Sequence, residues 1–235
     1  MIEHRLLVCT DTHARMNLPE VTDPRALAWL HGGDFYQGTS PLAQKRMLGG
    51  EGLKGHRGRK AAMEQWRAAC DIPVYTVRGN HDVTDPWGFF AGTVDLAGRL
   101  EEIAPNLFLG GIGWHGESFF DLPDDGQLDP ICAPLERQIE ARIGPDDCLI
   151  ILSHYPAVTE LCPGFDRLQR FMETCRPRVF LQGHIHEAFE QSCTLPWEDG
   201  RQTLVLNPGP WGGVLSIGPN ANEVCFHAAR HRATE

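Results

Sequence analysis

Seven side chains in this chain could together hold metal ions: Asp11, His13, Asp34, Asn80, His154, His184 and His186. They fall in five short motifs, Asp11-Thr12-His13, Gly33-Asp34, Gly79-Asn80-His81-Asp82, Ser153-His154 and Gly183-His184-Ile185-His186. Carboxylate oxygen, amide oxygen and imidazole nitrogen in one set suit borderline divalent metals such as Mn, Fe, Zn, Co or Ni. In an extended segment residues i and i+2 point the same way, which puts His184 and His186 roughly 6–7 Å apart. That span suits two neighbouring ions, which in dinuclear sites lie about 3.5–4 Å apart. Two carboxylates set against two divalent cations leave about two positive charges, a trap for anions such as phosphate esters.

Each motif must be delivered by a regular element, and the apolar pattern supplies one. Residues 5–10, 73–78, 148–152 and 178–182 read as strands, and each runs directly into a polar cluster. A second candidate strand, 28–31, follows a brief helix or turn at 24–29 and leads into Gly32-Gly33-Asp34. Ligand sites of α/β sheets lie at the carboxyl ends of strands, where all five clusters would fall. His31 sits on the apolar strand and reads as a core or supporting residue rather than a ligand. Helices are expected at 60–70, 95–103, 131–143 and 165–175, and further strands at 106–109, 110–116, 203–206, 214–217 and 224–227. Residues 119–130, with four aspartates and two prolines, read as a surface loop whose spacing fits no EF-hand. Trp114 and His115 are candidates for lining a pocket.

A length of 235 residues fits one large domain with a sizeable core. The formal charge of −10 argues against broad binding to nucleic acid or anionic membranes. Against that background, residues 38–60 are glycine-rich and carry six Lys/Arg with Glu51 as the one acid, a solvated loop that could also flank an anionic substrate. No apolar run approaches the 18 residues of a membrane span, and residues 1–5 lack a secretory layout. Eight scattered cysteines without a C-x-x-C pair read as reduced thiols, so a cytoplasmic location is expected.

Taken in order, the five motifs resemble the calcineurin-like metallophosphoesterase superfamily, and the likeness spans nearly the whole chain. It implies a four-layer α/β/β/α sandwich with the site at the strand ends. It further implies that Asp11, His13 and His186 hold one divalent ion, that Asn80, His154 and His184 hold another, and that Asp34 bridges them. Mn is the first expectation for the metal, with Fe, Zn, Co or Ni as alternatives. The implied chemistry is in-line hydrolysis, two metals lowering the pKa of a bridging water and clamping the phosphoryl oxygens. His81 would protonate the departing oxygen or stabilise transition-state charge, and Arg15 is a further candidate contact for phosphate.

Protein Ser/Thr phosphatases of the superfamily carry Asp-Arg-Gly in a longer second motif and Glu after Asn-His; here Phe35-Tyr36-Gln37-Gly38 and Asp82 stand instead. Asn207-Pro208-Gly209 is similar to the closing turn of small phosphodiesterases, and Asp11-Thr12-His13-Ala14-Arg15 to members that cleave cyclic nucleotides. The expectation is therefore a phosphodiesterase acting on a small ester, a nucleotide or cyclic nucleotide among the candidates. Phosphomonoesterase, DNA nuclease and non-catalytic scaffold are the alternatives.

Overall fold

Alternation of inward and outward apolar side chains builds the molecule around two facing sheets. The computed structural model describes residues 3–13, 23–35, 70–82, 92–117, 120–157, 164–218 and 223–229. The strands are β1 (His4–Cys9), β2 (Ala26–His31), β3 (Val74–Thr76), β4 (Val94–Asp95), β5 (Leu100–Ala104), β6 (Leu107–Ile112), β7 (Cys148–Ser153), β8 (Val179–Leu181), β9 (Gln191–Pro196), β10 (Gln202–Asn207), β11 (Gly213–Ile217) and β12 (Val224–Ala228). Two helices are described, α1 (Asp125–Arg142) and α2 (Asp166–Cys175).

One sheet has the order β12-β11-β1-β2-β3-β4 and the other β5-β6-β7-β8-β10-β9. The centre of each is parallel, β1 beside β2 beside β3 in the first, and β6, β7, β8 and β10 in the second. From β1, Leu6 and Val8 face inward to meet Leu109, Ile150, Leu152 and Leu181 of the other sheet. Leu7 and Cys9 face outward into a second buried apolar layer with Trp29 and Val74. From β7, Leu149 and Ile151 face outward against Leu128, Leu135, Leu168 and Phe171 of the two helices. Strands buried on both faces need continuous apolar runs, which is why β1 and β7 read so plainly in the sequence. The arrangement is the expected α/β/β/α sandwich. Because the central strands of each sheet are parallel, the ends of β1, β2 and β3 and those of β7, β8 and β10 can gather into one crevice.

Several local expectations are corrected. Residues 95–103 do not form a helix: Asp95 Oδ1 accepts the Ala97 N–H, Gly98 takes φ +72°, and the chain re-enters a sheet as β5. The expected loop at 119–130 gives way to helix from Asp125, because Asp124 and Gln127 form a reciprocal capping box that starts α1 six residues early. The apparent obstacle is Pro130, which α1 accommodates in its interior along with Pro134. The strand expected at 110–116 is the tail of β6 and stops at Ile112. Polar, exposed β9 is an edge strand with no apolar signal. The basic 38–60 loop, nearly all of the 60–70 helix, and Arg15 lie outside the described residues.

Candidate metal centre

All seven expected donors converge at the strand ends. Asp11 and His13 follow β1, Asp34 follows β2, and Asn80 and His81 follow β3; His154 follows β7, and His184 and His186 follow β8. Asp11, His13, Asp34 and His184 all adopt positive φ, four of the seven non-glycine residues that do so among those described. Such backbone costs on the order of 1–3 kcal/mol per residue and persists where its surroundings enforce it.

The donors form two lobes. In the first, His13 Nε2 lies 3.2 Å from His186 Nε2, and His186 Nε2 lies 3.6 Å from Asp11 Oδ1. In the second, Asn80 Oδ1 faces His154 Nε2 at 3.1 Å and His184 Nδ1 at 3.0 Å. Asp34 stands between them, its Oδ2 3.8 Å from His13 Nε2 and 3.5 Å from His154 Nε2. The backbone N–H of His81 donates to Asp34 Oδ1, and a ring nitrogen of His81 comes within 4.8 Å of the donor atoms of both His13 and Asp34. His81 therefore adjoins the donors His13 and Asp34.

One expected geometry differs. His184 and His186 are not neighbours on an extended strand. β8 ends at Leu181, His184 is left-handed at φ 69°, and His186 opens a 3-10 turn (His186–Ala188). The two side chains reach different lobes because the chain turns between them. Gly183 permits the turn: a Cβ there would run into Thr10 Oγ1 and lie 2.5 Å from Asp11 Oδ2. Gly79 is equally constrained, since a Cβ would collide with Asp34 Oδ1 and come 2.7 Å from His154 Cε1.

Supporting residues complete the scaffold. Both Asp11 oxygens accept the His184 N–H at 3.1 Å, and Oδ2 also takes the Thr10 hydroxyl at 2.7 Å. Asp82 Oδ2 accepts the backbone N–H groups of Asp34 (2.8 Å) and Gly79 (3.0 Å), tying two donor loops together. Asn207 Nδ2 donates to Ile185 O, bracing the loop that carries His184 and His186. His31 is wholly buried, accepts the Gly33 N–H on Nδ1 and so donates from Nε2 to Thr12 Oγ1, a supporting role. Residue types alone assign no task to Thr10, Asp82 or Asn207, although Asp82 closes the third motif and Thr10 directly precedes the first. Trp114 and His115 line a separate shallow cavity of about 440 Å³ with Arg78 and Asp95. A cavity of about 660 Å³ opens at the opposite end of β7 and β8, beside Asn106, Arg178 and Gly218, and holds none of the donors.

The electrostatics identify the occupant these donors suit. Burial lowers the His154 and His184 pKa values to about 4 and also depresses that of His81. Neutral His154 has one ring proton. Its Nδ1 faces the Gly32 carbonyl at 2.9 Å and must carry that proton. The Nε2 lone pair is then aimed at the Asn80 and Asp34 oxygens, so that three electron-rich atoms need a shared proton or a cation among them. A cation between them resolves that convergence, so the donor set fits a metal. Burial, together with the charges of Asp82 and Asp11, raises the Asp34 carboxyl well above its ordinary range. For Asp11, burial acts upward but is outweighed by His186, His154 and Thr10, and the carboxyl sits at about 2.

A two-sheet sandwich with carboxylates, imidazoles and an amide gathered at its strand ends presents a candidate centre for divalent metal. Residues 4–188 match the calcineurin-like phosphoesterase family, and the chain belongs to it. Similar solved structures share the fold at low identity. One aligns at a TM-score of 0.63 with 12% identity over 97% of this chain and all of its own. TT1561 of Thermus thermophilus aligns at 0.55 with 14% identity over 97% of this chain and all of its own. GAP50, the anchor in the inner membrane complex of Plasmodium, aligns at 0.55 with 11% identity, over 98% of this chain and 86% of its own. No curated protein matches the chain. No helix among the described residues is long and apolar enough to cross a membrane.

Proposed function

We propose that this chain is a dinuclear metal-dependent phosphodiesterase acting on small phosphate esters in the cytoplasm. The observation that carries the reading is the His154 lone pair converging on Asn80 Oδ1 and Asp34 Oδ2, mirrored by the Asp11, His13 and His186 lobe on the other side of Asp34. Asp11, His13 and His186 would hold one divalent ion and Asn80, His154 and His184 the other, with Asp34 between, and Mn is the first candidate. When bound, such ions neutralise phosphoryl oxygens and lower the pKa of water. The chain's own residues do the rest. Asp82 and Asn207 fix the donor loops, so the phosphoryl group meets a preorganised site. His81 is tied by its backbone to Asp34, which keeps its ring beside Asp34 and His13. With its pKa depressed by burial it is neutral at pH 7, and its ring N–H is placed to donate to the ester's departing oxygen.

The diester preference rests on the Asn207-Pro208-Gly209 turn and its likeness to small phosphodiesterases; the expectation of a small substrate rests on the acidic net charge. The seven described cysteines are free thiols, in keeping with a reducing compartment. Protein loaded with Mn²⁺ is expected to hydrolyse bis-p-nitrophenyl phosphate faster than p-nitrophenyl phosphate, and His81→Ala to lose turnover by about 10²–10⁴-fold while keeping its metal. Faster monoester hydrolysis would reassign it as a phosphomonoesterase. Failure to bind metal, or no hydrolysis of either ester with any of Mn, Fe, Zn, Co or Ni, would defeat the reading.

A further inference from the structure

Beside the first lobe, His186 is one end of a row of rings. Its side chain is 47% exposed, and the half-buried Phe189 ring lies 4.8 Å from it at a 32° tilt. Trp211, also half-buried, meets Phe189 edge-on at 6.4 Å. The row is held rigidly against the donors. Asn207 Nδ2 donates to Ile185 O and its Oδ1 takes the Gly209 N–H, bracketing the turn that leads to Trp211. The Thr10 N–H donates to Gly209 O, joining the same turn to the strand end that bears Asp11. A Cβ on Gly209 would stand 3.1 Å from Phe189, so the turn packs directly on that ring.

Among the described residues, Phe189 and Trp211 stand outside the apolar clusters between the sheets and beneath the helices. Partly exposed aromatics on a braced turn, beside the donors for a phosphoryl-binding centre, form a stacking platform that loses little entropy on binding. We propose that Phe189 and Trp211 form a subsite for a planar ring of the substrate, so that the preferred esters are those of nucleosides or aryl alcohols rather than of aliphatic alcohols. This inference rests on the phosphoesterase reading. Stacking a base on an aromatic side chain is worth about 1–3 kcal/mol, or roughly 5–150-fold in affinity.

The test compares adenosine 5′-phosphate with ribose 5-phosphate, which share the phosphate and the sugar and differ in the planar ring. Each is titrated calorimetrically into Mn²⁺-loaded protein and used as an inhibitor of bis-p-nitrophenyl phosphate hydrolysis. The native protein is expected to bind the adenosine compound at least about 10-fold tighter. Trp211→Ala and Phe189→Leu should each shrink that ratio several-fold, with bound Mn²⁺ unchanged by elemental analysis. Equal binding of the two ligands by native protein, or a ratio that survives both substitutions, would overturn the subsite. So would loss of Mn²⁺ in both variants, which would make the rings a support for His186 instead. Failure of the underlying reading looks different: native protein that binds no metal and hydrolyses neither ester.

Discussion

Two clusters of charge in this molecule are built on opposite principles. Between α1 and α2, the Arg167 guanidinium donates to both Glu136 oxygens and to Asp129 Oδ1, each at 2.8 Å, while its backbone N–H reaches Asp125. Those carboxylates raise the Arg167 pKa further, so the arginine is ionised at every accessible pH. Positive and negative charge meet within the chain. At the strand ends, Asp11, Asp34 and Asp82 are far more deeply buried, yet they face imidazoles that burial holds neutral and backbone N–H groups. The helix cluster is complete as it stands, whereas the strand-end cluster has donor capacity left for a cation. Polarity alone does not separate a structural charge cluster from a functional one; internal neutralisation does.

The sharpest way to break the contrast is Asp34→Asn. Losing the carboxylate that reaches both lobes is expected to empty at least one metal position and to reduce turnover by about 10³-fold, checked by elemental analysis and ester hydrolysis. Because burial and two neighbouring carboxylates disfavour the Asp34 charge, the metal-free variant should be more stable than the metal-free native protein in denaturant titration. A metal-free variant of lower stability would count against the view that this cluster is incomplete without its ions. Asp82→Asn tests the next layer out. It weakens acceptance of two buried N–H groups without touching a donor atom, so turnover should fall by about 10–100-fold with partial loss of metal affinity.

Arg167→Leu probes the other cluster. It strands Glu136 and should cost about 2–3 kcal/mol, less than a fully buried pair would because Asp129 is largely exposed. Metal content and turnover per folded molecule should be unaffected. Loss of metal there would mean that the two clusters are coupled through β7 and β8 rather than independent.

The same contrast explains how much of the molecule is legible in its sequence. The apolar runs of β1, β7 and β8 are plain because strands buried on both faces tolerate no polar residue, and the donors stand out as polar residues placed where such runs stop. Residues 95–103 mislead because Leu96, Leu100 and Ile103 fit a helical period, while the turn at Asp95 and Gly98 that overrides it is a matter of local hydrogen bonding. The start of α1 is hidden because Pro130 reads as a breaker, yet the capping pair upstream of it holds the first turn. In the site itself, residue types point to the donors but not to the path between them. The turn separating His184 from His186, and the tasks of Thr10, Asp82 and Asn207, depend on contacts between loops far apart in sequence.

A pH dependence belongs to one cluster alone. His31, His154 and His184 have folded pKa values of about 3, 4 and 4, each lowered from an ordinary 6.5 chiefly by burial. On unfolding below pH 6.5 these imidazoles take up protons that the folded chain refuses. Metal-free stability should therefore fall as pH drops from about 6.5 to 4, each group contributing at most about 1.4 kcal/mol per pH unit. Asp34, raised in the folded chain, acts with the opposite sign, its contribution being lost as pH rises above the ordinary carboxylate value, and so offsets part of the slope. Asp11 adds stability that is lost only as pH falls from about 3.8 to 2, below this window. Arg167 does not titrate here, so Arg167→Leu should lower the whole curve without changing its slope. Denaturant titrations from pH 7.5 to 4.5 in chelator measure both quantities. A flat profile would mean that these histidines are not held neutral by burial, and the convergence of lone pairs on the cation positions would lose its basis.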